Sequence, residues 1–268
     1  MTTSNKSPRL SIHNTRASMG NLAARLVNDE ITHLVKSKGR ARIMMACAPS
    51  QDDYFEALVP LARQQPEIWK KVTVFHMDDY VGLSADQPQS FRFYLRSHFL
   101  DHVEVAEFHP LGADAASPEE EARRYGEMLT AEPIDIISMG IGENGHIAFN
   151  DPPVADFNDS QAVKVVEMDA VCRQQQVNDG CFPNIDAVPR HALSVTLPVF
   201  ASAGLLCCIA PTERKAAAVR DTLTAPVGTE CPATLLRTHP RSTLLVDEPA
   251  ASLLSPEVRK AFSCSCQH

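Results

Sequence analysis

The sequence contains no run of about 18 apolar residues, which excludes a membrane-spanning helix. Its opening stretch, Met1–Lys6, is polar and lacks the apolar core of a secretory signal. Basic residues are in deficit: 25 Lys and Arg stand against 33 Asp and Glu over 268 residues, a net charge of −8 with a pI near 5.7. That balance argues against broad electrostatic binding of nucleic acid or an acidic membrane, and leaves room for a local basic pocket that takes one anion. The chain has no Gly-x-x-x-x-Gly-Lys-Ser/Thr loop for nucleoside triphosphates, no Gly-x-Ser-x-Gly elbow and no Cys-x-x-Cys pair. No linker, internal repeat or low-complexity block interrupts it. Its 8 cysteines are scattered, with Cys207-Cys208 inside an apolar run. This suits reduced, buried thiols and a cytoplasmic location better than a disulfide framework. The tail Cys264-Ser265-Cys266-Gln267-His268 reads either as a soft-metal site or as a frayed terminus.

What is present is an alternation of periodicities. Met19, Leu22, Ala23, Leu26, Val27, Ile31, Leu34 and Val35 follow the three-four spacing of an amphipathic helix, with Asn14 or Thr15 as its cap and Gly39 past its end. Short apolar runs at 43–47, 72–75, 134–139, 204–210 and 242–246 read as strands. Stretches 52–63, 90–100, 119–129 and 212–222 read as helices, and 163–166 and 193–197 have strand composition. Continuous apolar strands between helices predict an α/β fold: a single domain with a mostly parallel, doubly wound sheet and helices on both faces. The domain is expected to span 1–268, with about the first 10 and last 12 residues peripheral. Region 150–190 is the least regular, and a lid or small subsheet is expected there.

In such a sheet, ligands sit outside the carboxyl ends of the strands. Three strand ends carry unusual chemistry: Ala48-Pro49-Ser50-Gln51, His76-Met77-Asp78-Asp79-Tyr80, and Gly140 to His146. Gly140-x-Gly142-x-x-Gly145 matches a dinucleotide fingerprint, but Pro152 and Pro153 end any following helix at once. The glycines, Gly142 among them, read better as places where backbone approaches a small ligand. His146 is either an ordinary loop histidine or a proton carrier, and Asp151 either orients its ring or belongs to an Asn-Asp-Pro turn. Asp78 and Asp79 are either a capping pair or a base and its support. On an extended chain adjacent side chains point to opposite sides, so one should face a cleft and the other serve structure. Apolar surroundings would make the cleft-facing acid a better base. Lys215 is either a surface lysine or, near a helix start after a strand, an anion contact.

The stretches His76–Leu83 and Gln87–Ser90, Gly140–Asn150, Val188–Thr196, His239-Pro240 and Val246–Ala250 together resemble the signature blocks of the glucosamine-6-phosphate deaminase/isomerase family, in order, over about residues 20–255. That superfamily also includes the 6-phosphogluconolactonases. The resemblance implies aldose–ketose isomerisation with loss of ammonia, glucosamine 6-phosphate to fructose 6-phosphate, in amino-sugar metabolism and without metal or redox cofactor. It implies Asp78 as the base at C2, and His146 as the group that opens the sugar ring. Asp151 falls where the family has a glutamate, and Asn144 where it has an aspartate. Lys215 and Ser50 fall on phosphate-binding positions, and Asp79, Gly142 and Arg173 are grouped with the substrate-binding residues. The family's phosphate-binding arginine is expected near 175–179, where the chain reads Gln175-Gln176-Val177-Asn178-Asp179, so Arg173 is the nearest substitute. Pro49 removes one backbone donor from the phosphate loop. The expected partner is a small sugar phosphate, and a homo-oligomer is expected. The rival readings are a 6-phosphogluconolactonase-like hydrolase, with His146 activating water, and a non-catalytic sugar-phosphate sensor.

Overall fold

Runs that are apolar on both faces can be buried only in a sheet covered on both sides, and the chain builds one. A computed structural model describes residues 7–263. The strands are β1 (Arg9–His13), β2 (Ala41–Met45), β3 (Val72–His76), β4 (Asp78–Tyr80), β5 (Glu107–His109), β6 (Ile136–Met139), β7 (Val163–Glu167), β8 (His191–Val195), β9 (Leu205–Ile209) and β10 (Ser242–Asp247). The helices are α1 (Arg16–Lys38), α2 (Asp52–Arg63), α3 (Pro66–Trp69), α4 (Phe91–Leu95), α5 (Pro118–Thr130), α6 (Ala170–Asn178), α7 (Leu197–Ala201), α8 (Ala216–Thr224) and α9 (Pro256–Phe262).

Seven strands form a parallel sheet in the order β1-β10-β9-β6-β2-β3-β5. Alternate residues feed two separate cores. Met44, Phe75, Ile137, Leu206 and Leu244 pack on one face. Ile43, Val74, Ile136, Cys207 and Leu245 pack on the other. This is the doubly wound arrangement that the apolar runs predict. Helix α1 is capped at both ends as its sequence indicates: Thr15 accepts a hydrogen bond from the Ser18 N–H, and Gly39, at φ +82°, donates to the Val35 carbonyl.

The irregular stretch 150–190 contributes one strand, β7, to a small second sheet. Strands β4, β8 and β7 pair antiparallel, with Asp78 opposite Ser194 and Val163 opposite Val195. Several elements have no clear sequence signal. Strand β1 begins at Arg9, inside the stretch expected to be peripheral, and buries Leu10. Its outer side is bridged at Leu10 by Ser263, just past α9. The far edge strand, β5, is three residues long. The Cys264, Cys266 and His268 cluster lies outside the described residues.

Candidate active site

From β2 the chain builds outward through β3 to β5. From β6 it builds the other way, through β9 to β10, with β1 beyond. Loops leaving the carboxyl ends of β2 and β6 therefore part at the switch point, where open α/β sheets form their binding crevice. A cleft opens there, and Ser50, Asp78, Gly142, His146 and Lys215 all line it. Asn144 and Asp151 stand behind His146. Asp79 and Arg173 do not face the cleft.

Asp78 opens β4 directly after β3, the strand next to the edge of the large sheet. His76, fully buried, fixes this corner. Its Nε2 accepts from the Leu111 N–H at 2.8 Å, which leaves Nδ1 to donate to the Asp78 carbonyl at 3.0 Å. Burial lowers the His76 pKa to about 4, so the ring is a neutral strut. Asp78 is 7% exposed; burial, then the charge of Asp79, pushes its carboxyl well above the ordinary value. Asp79 turns the other way. Its Oδ1 accepts from the N–H groups of Tyr80 and Phe91, and its Oδ2 from Ser90 Oγ at 2.9 Å and Arg92 Nε at 2.8 Å. This corrects the grouping of Asp79 with substrate-binding residues: strand alternation commits it to structure.

The glycine turn after β6 exists to make room for a ring. A Cβ on Gly142 would lie 2.2–2.4 Å from three atoms of the His146 imidazole, so only glycine fits beneath it. Gly145, at φ +80°, turns the chain against Cys231. His146 Nδ1 lies 2.9 Å from Asp151 Oδ1. Asn144 ties the two together: its Nδ2 donates to Asp151 Oδ1 at 2.9 Å, and its Oδ1 accepts from the His146 N–H at 3.1 Å. Burial pushes the Asp151 carboxyl up, but His146, Asn144 and Cys172 outweigh it and hold Asp151 below the ordinary carboxylate value. Asp151 is thus anionic at neutral pH and suited to fix the imidazole. His146, Asp151 and Cys172 bring a ring nitrogen, a carboxylate oxygen and a sulfur within 4.8 Å of one another. Burial, then the Asp151 charge, pushes the Cys172 thiol well up, and its S–H is a donor to Asp151.

The rest of the cleft wall gathers residues from distant elements. Ser50 sits in the short turn Pro49–Gln51 after β2, where its Oγ accepts from Gln51 Nε2 at 3.0 Å. Lys215 closes the turn Glu213–Lys215 ahead of α8 and is 6% exposed. Burial lowers its pKa, while Asp179 and Glu143 pull it back up. Thr212, at φ +79°, begins that turn in a conformation costly for a β-branched residue. Asp247 braces it, both carboxylate oxygens accepting from the Thr212 N–H at 3.0 Å. Arg173 does not substitute for the missing arginine, because its Nη2 donates to the carbonyls of Ile185 and Val188 at 2.5 and 3.0 Å and holds that loop. Gln175, Gln176 and Asp179 from the α6 region line the cleft instead, and so does Arg16 from the first turn of α1. No local pattern marks these four in the sequence.

A family model described as glucosamine-6-phosphate isomerases/6-phosphogluconolactonase matches residues 14–245. The chain belongs to this family. Among members of the glucosamine-6-phosphate isomerase/6-phosphogluconolactonase family, the glucosamine-6-phosphate deaminase of Exiguobacterium sibiricum is 37% identical over 202 residues, 72% of this chain and 78% of its own. A deaminase of the same name from a Geobacillus species is 31% identical over 239 residues, 88% of this chain and 93% of its own. The solved structure of a monomeric glucosamine-6-phosphate deaminase superposes with a TM-score of 0.84 at 30% identity, over 91% of this chain and 99% of that one. A 6-phosphogluconolactonase from Trypanosoma brucei shares the fold at 18% identity, with a TM-score of 0.72 over 93% of this chain and 100% of its own. No helix among the described residues is long and apolar enough to cross a membrane.

Proposed function

We propose that the chain converts glucosamine 6-phosphate to fructose 6-phosphate and ammonia. The observation that carries this reading is the gathering, in one cleft, of a buried carboxylate at Asp78, an acid-backed imidazole at His146 and a buried lysine at Lys215. A carboxylate in apolar surroundings is a stronger base, as removal of a carbon-bound proton demands. His146 moves a proton between the C1 hydroxyl and the ring oxygen, and the ring opens to the aldehyde. Asp151 and Asn144 hold the imidazole for that transfer. Asp78 takes the C2 proton; the electron pair forms the C1–C2 double bond and O1 gains a proton. The hydrogen returns to C1 as nitrogen gives up a proton, leaving an imine at C2. Water adds to that carbon and ammonia leaves. Lys215 and Ser50 take the phosphate, and Gly142 lets the ring of His146 lie close to the substrate.

Six reduced cysteines among the described residues support a cytoplasmic location. We further propose a homo-oligomer, the rival being a monomer such as the solved relative; light scattering on the purified protein distinguishes them. The function is tested by incubating the protein with glucosamine 6-phosphate and assaying ammonia and fructose 6-phosphate, beside 6-phosphogluconolactone hydrolysis. Ammonia and ketose in equal amounts are expected. Lactone hydrolysis without ammonia would replace this reading by the hydrolase one.

A further inference from the structure

We propose that Arg16 grips the substrate's phosphate, taking over from another element the role for which this chain has no arginine near 175–179. The inference rests on the sugar-phosphate reading above. Arg16 opens α1 and lines the cleft beside Pro49 and Ser50. Its guanidinium is held from behind: Nε donates to Asp53 Oδ2 at 2.6 Å and Nη2 to the Pro49 carbonyl at 2.8 Å. A guanidinium carries five N–H donors in a rigid fork, so three remain without a partner among the described residues.

The placement follows from helix packing. A Cβ on Gly20 would lie 2.5 Å from the Asp53 carbonyl carbon and oxygen, so α1 and α2 meet backbone to backbone at Asp53. Arg16 is one turn upstream on the same face, which carries it to the turn at Pro49. Charge and donor counts both call for it. Pro49 has no N–H to offer the anion. Near Lys215 stand two acids, Asp179 and Glu143, which offset part of its charge. A phosphate dianion placed there needs a further cation, and Arg16 is the arginine of the cleft wall.

The test compares wild type, Arg16→Ala and Arg16→Lys in two assays: KM and kcat for glucosamine 6-phosphate, and binding of inorganic phosphate followed by 31P line broadening. Arg16→Ala is expected to raise KM and weaken phosphate binding by about ten- to a hundredfold, with kcat changing by less than about threefold. Arg16→Lys should recover part of the loss, since it keeps the charge without the fork. Wild-type phosphate affinity in Arg16→Ala, whatever its melting temperature, would overturn the proposal and leave Arg16 a structural tie. Absence of phosphate binding by the wild type would also overturn it. If the wild type releases no ammonia but binds phosphate through Arg16, the functional reading fails while this inference stands.

Discussion

Around Asp78 and His146, the restraints come from residues no more than 13 positions away in the chain. His76 holds the Asp78 backbone, Ser90 and Arg92 hold Asp79, and Asn144 and Asp151 hold His146. Elsewhere on the cleft wall the residues are scattered along the chain: Ser50 follows β2, Lys215 follows β9, Arg16 comes from α1 and Asp179 follows α6. The difference matches the two tasks. Proton transfer is sensitive to fractions of an ångström, and short, locally closed hydrogen-bond circuits supply that precision. Holding a dianion needs charge and donors from several directions, which elements meeting at a switch point provide.

The sharpest way to break this contrast is at the proposed base itself. Asp78→Asn keeps shape and removes the base, so turnover and exchange of the C2 hydrogen with solvent should fall by about 10²–10⁴-fold or more, with KM within a few-fold. NMR of C2 exchange reads it directly, and normal exchange would take Asp78 out of that role. One residue on, the effect should switch from rate to stability. Asp79→Ala removes the acceptor of four buried donors and leaves Arg92 only the half-exposed Asp114 as a counter-charge, and should cost about 3–5 kcal/mol in urea unfolding. A cost below about 1 kcal/mol would show that the buried pair does not hold this corner.

Acid should loosen the same corner. The folded pKa of His76 is lowered to about 4 from 6.5, so the unfolded chain binds the extra proton between those values. Stability should therefore fall as pH drops from 6.5 toward 4, by about 3 kcal/mol in all from this group. His76→Gln lowers stability at neutral pH but should flatten that slope, measured as urea midpoints at several pH values. Among the proposed anion contacts the smallest loss is expected. Lys215→Ala should raise KM for the phosphorylated sugar about ten- to a hundredfold and matter little for the unphosphorylated one. Equal losses on both sugars would assign Lys215 to the fold.

The same contrast explains what could be read from sequence. The central strands are continuous apolar runs, and the contiguous blocks around Asp78 and His146 carry their own restraints, so both were legible. Strand β1, Arg-Leu-Ser-Ile-His, lies at an edge with one residue fully buried, and α6 has no apolar stripe, so neither left a periodic trace. Asp78 and Asp79 could be separated in principle by strand alternation, but which one faced the cleft depended on how β4 pairs with β8. Arg173 and Arg16 are both plain arginines in the sequence. Only the approach of α1 to α2 at Gly20, and of α6 to the loop at Ile185 and Val188, turns one into the cleft and the other away from it.

The two borders of the large sheet carry a consequence for the molecule in crowded solution. An uncovered outer strand is a template on which a second chain can add, the first step of ordered aggregation. Here one border is only three residues long and starts at the exposed, charged Glu107. The other is closed at Leu10 by Ser263, with α9 immediately before it in the chain. Neither leaves a long row of open backbone groups, so the apolar strands that make the core can be concentrated without being offered to their copies.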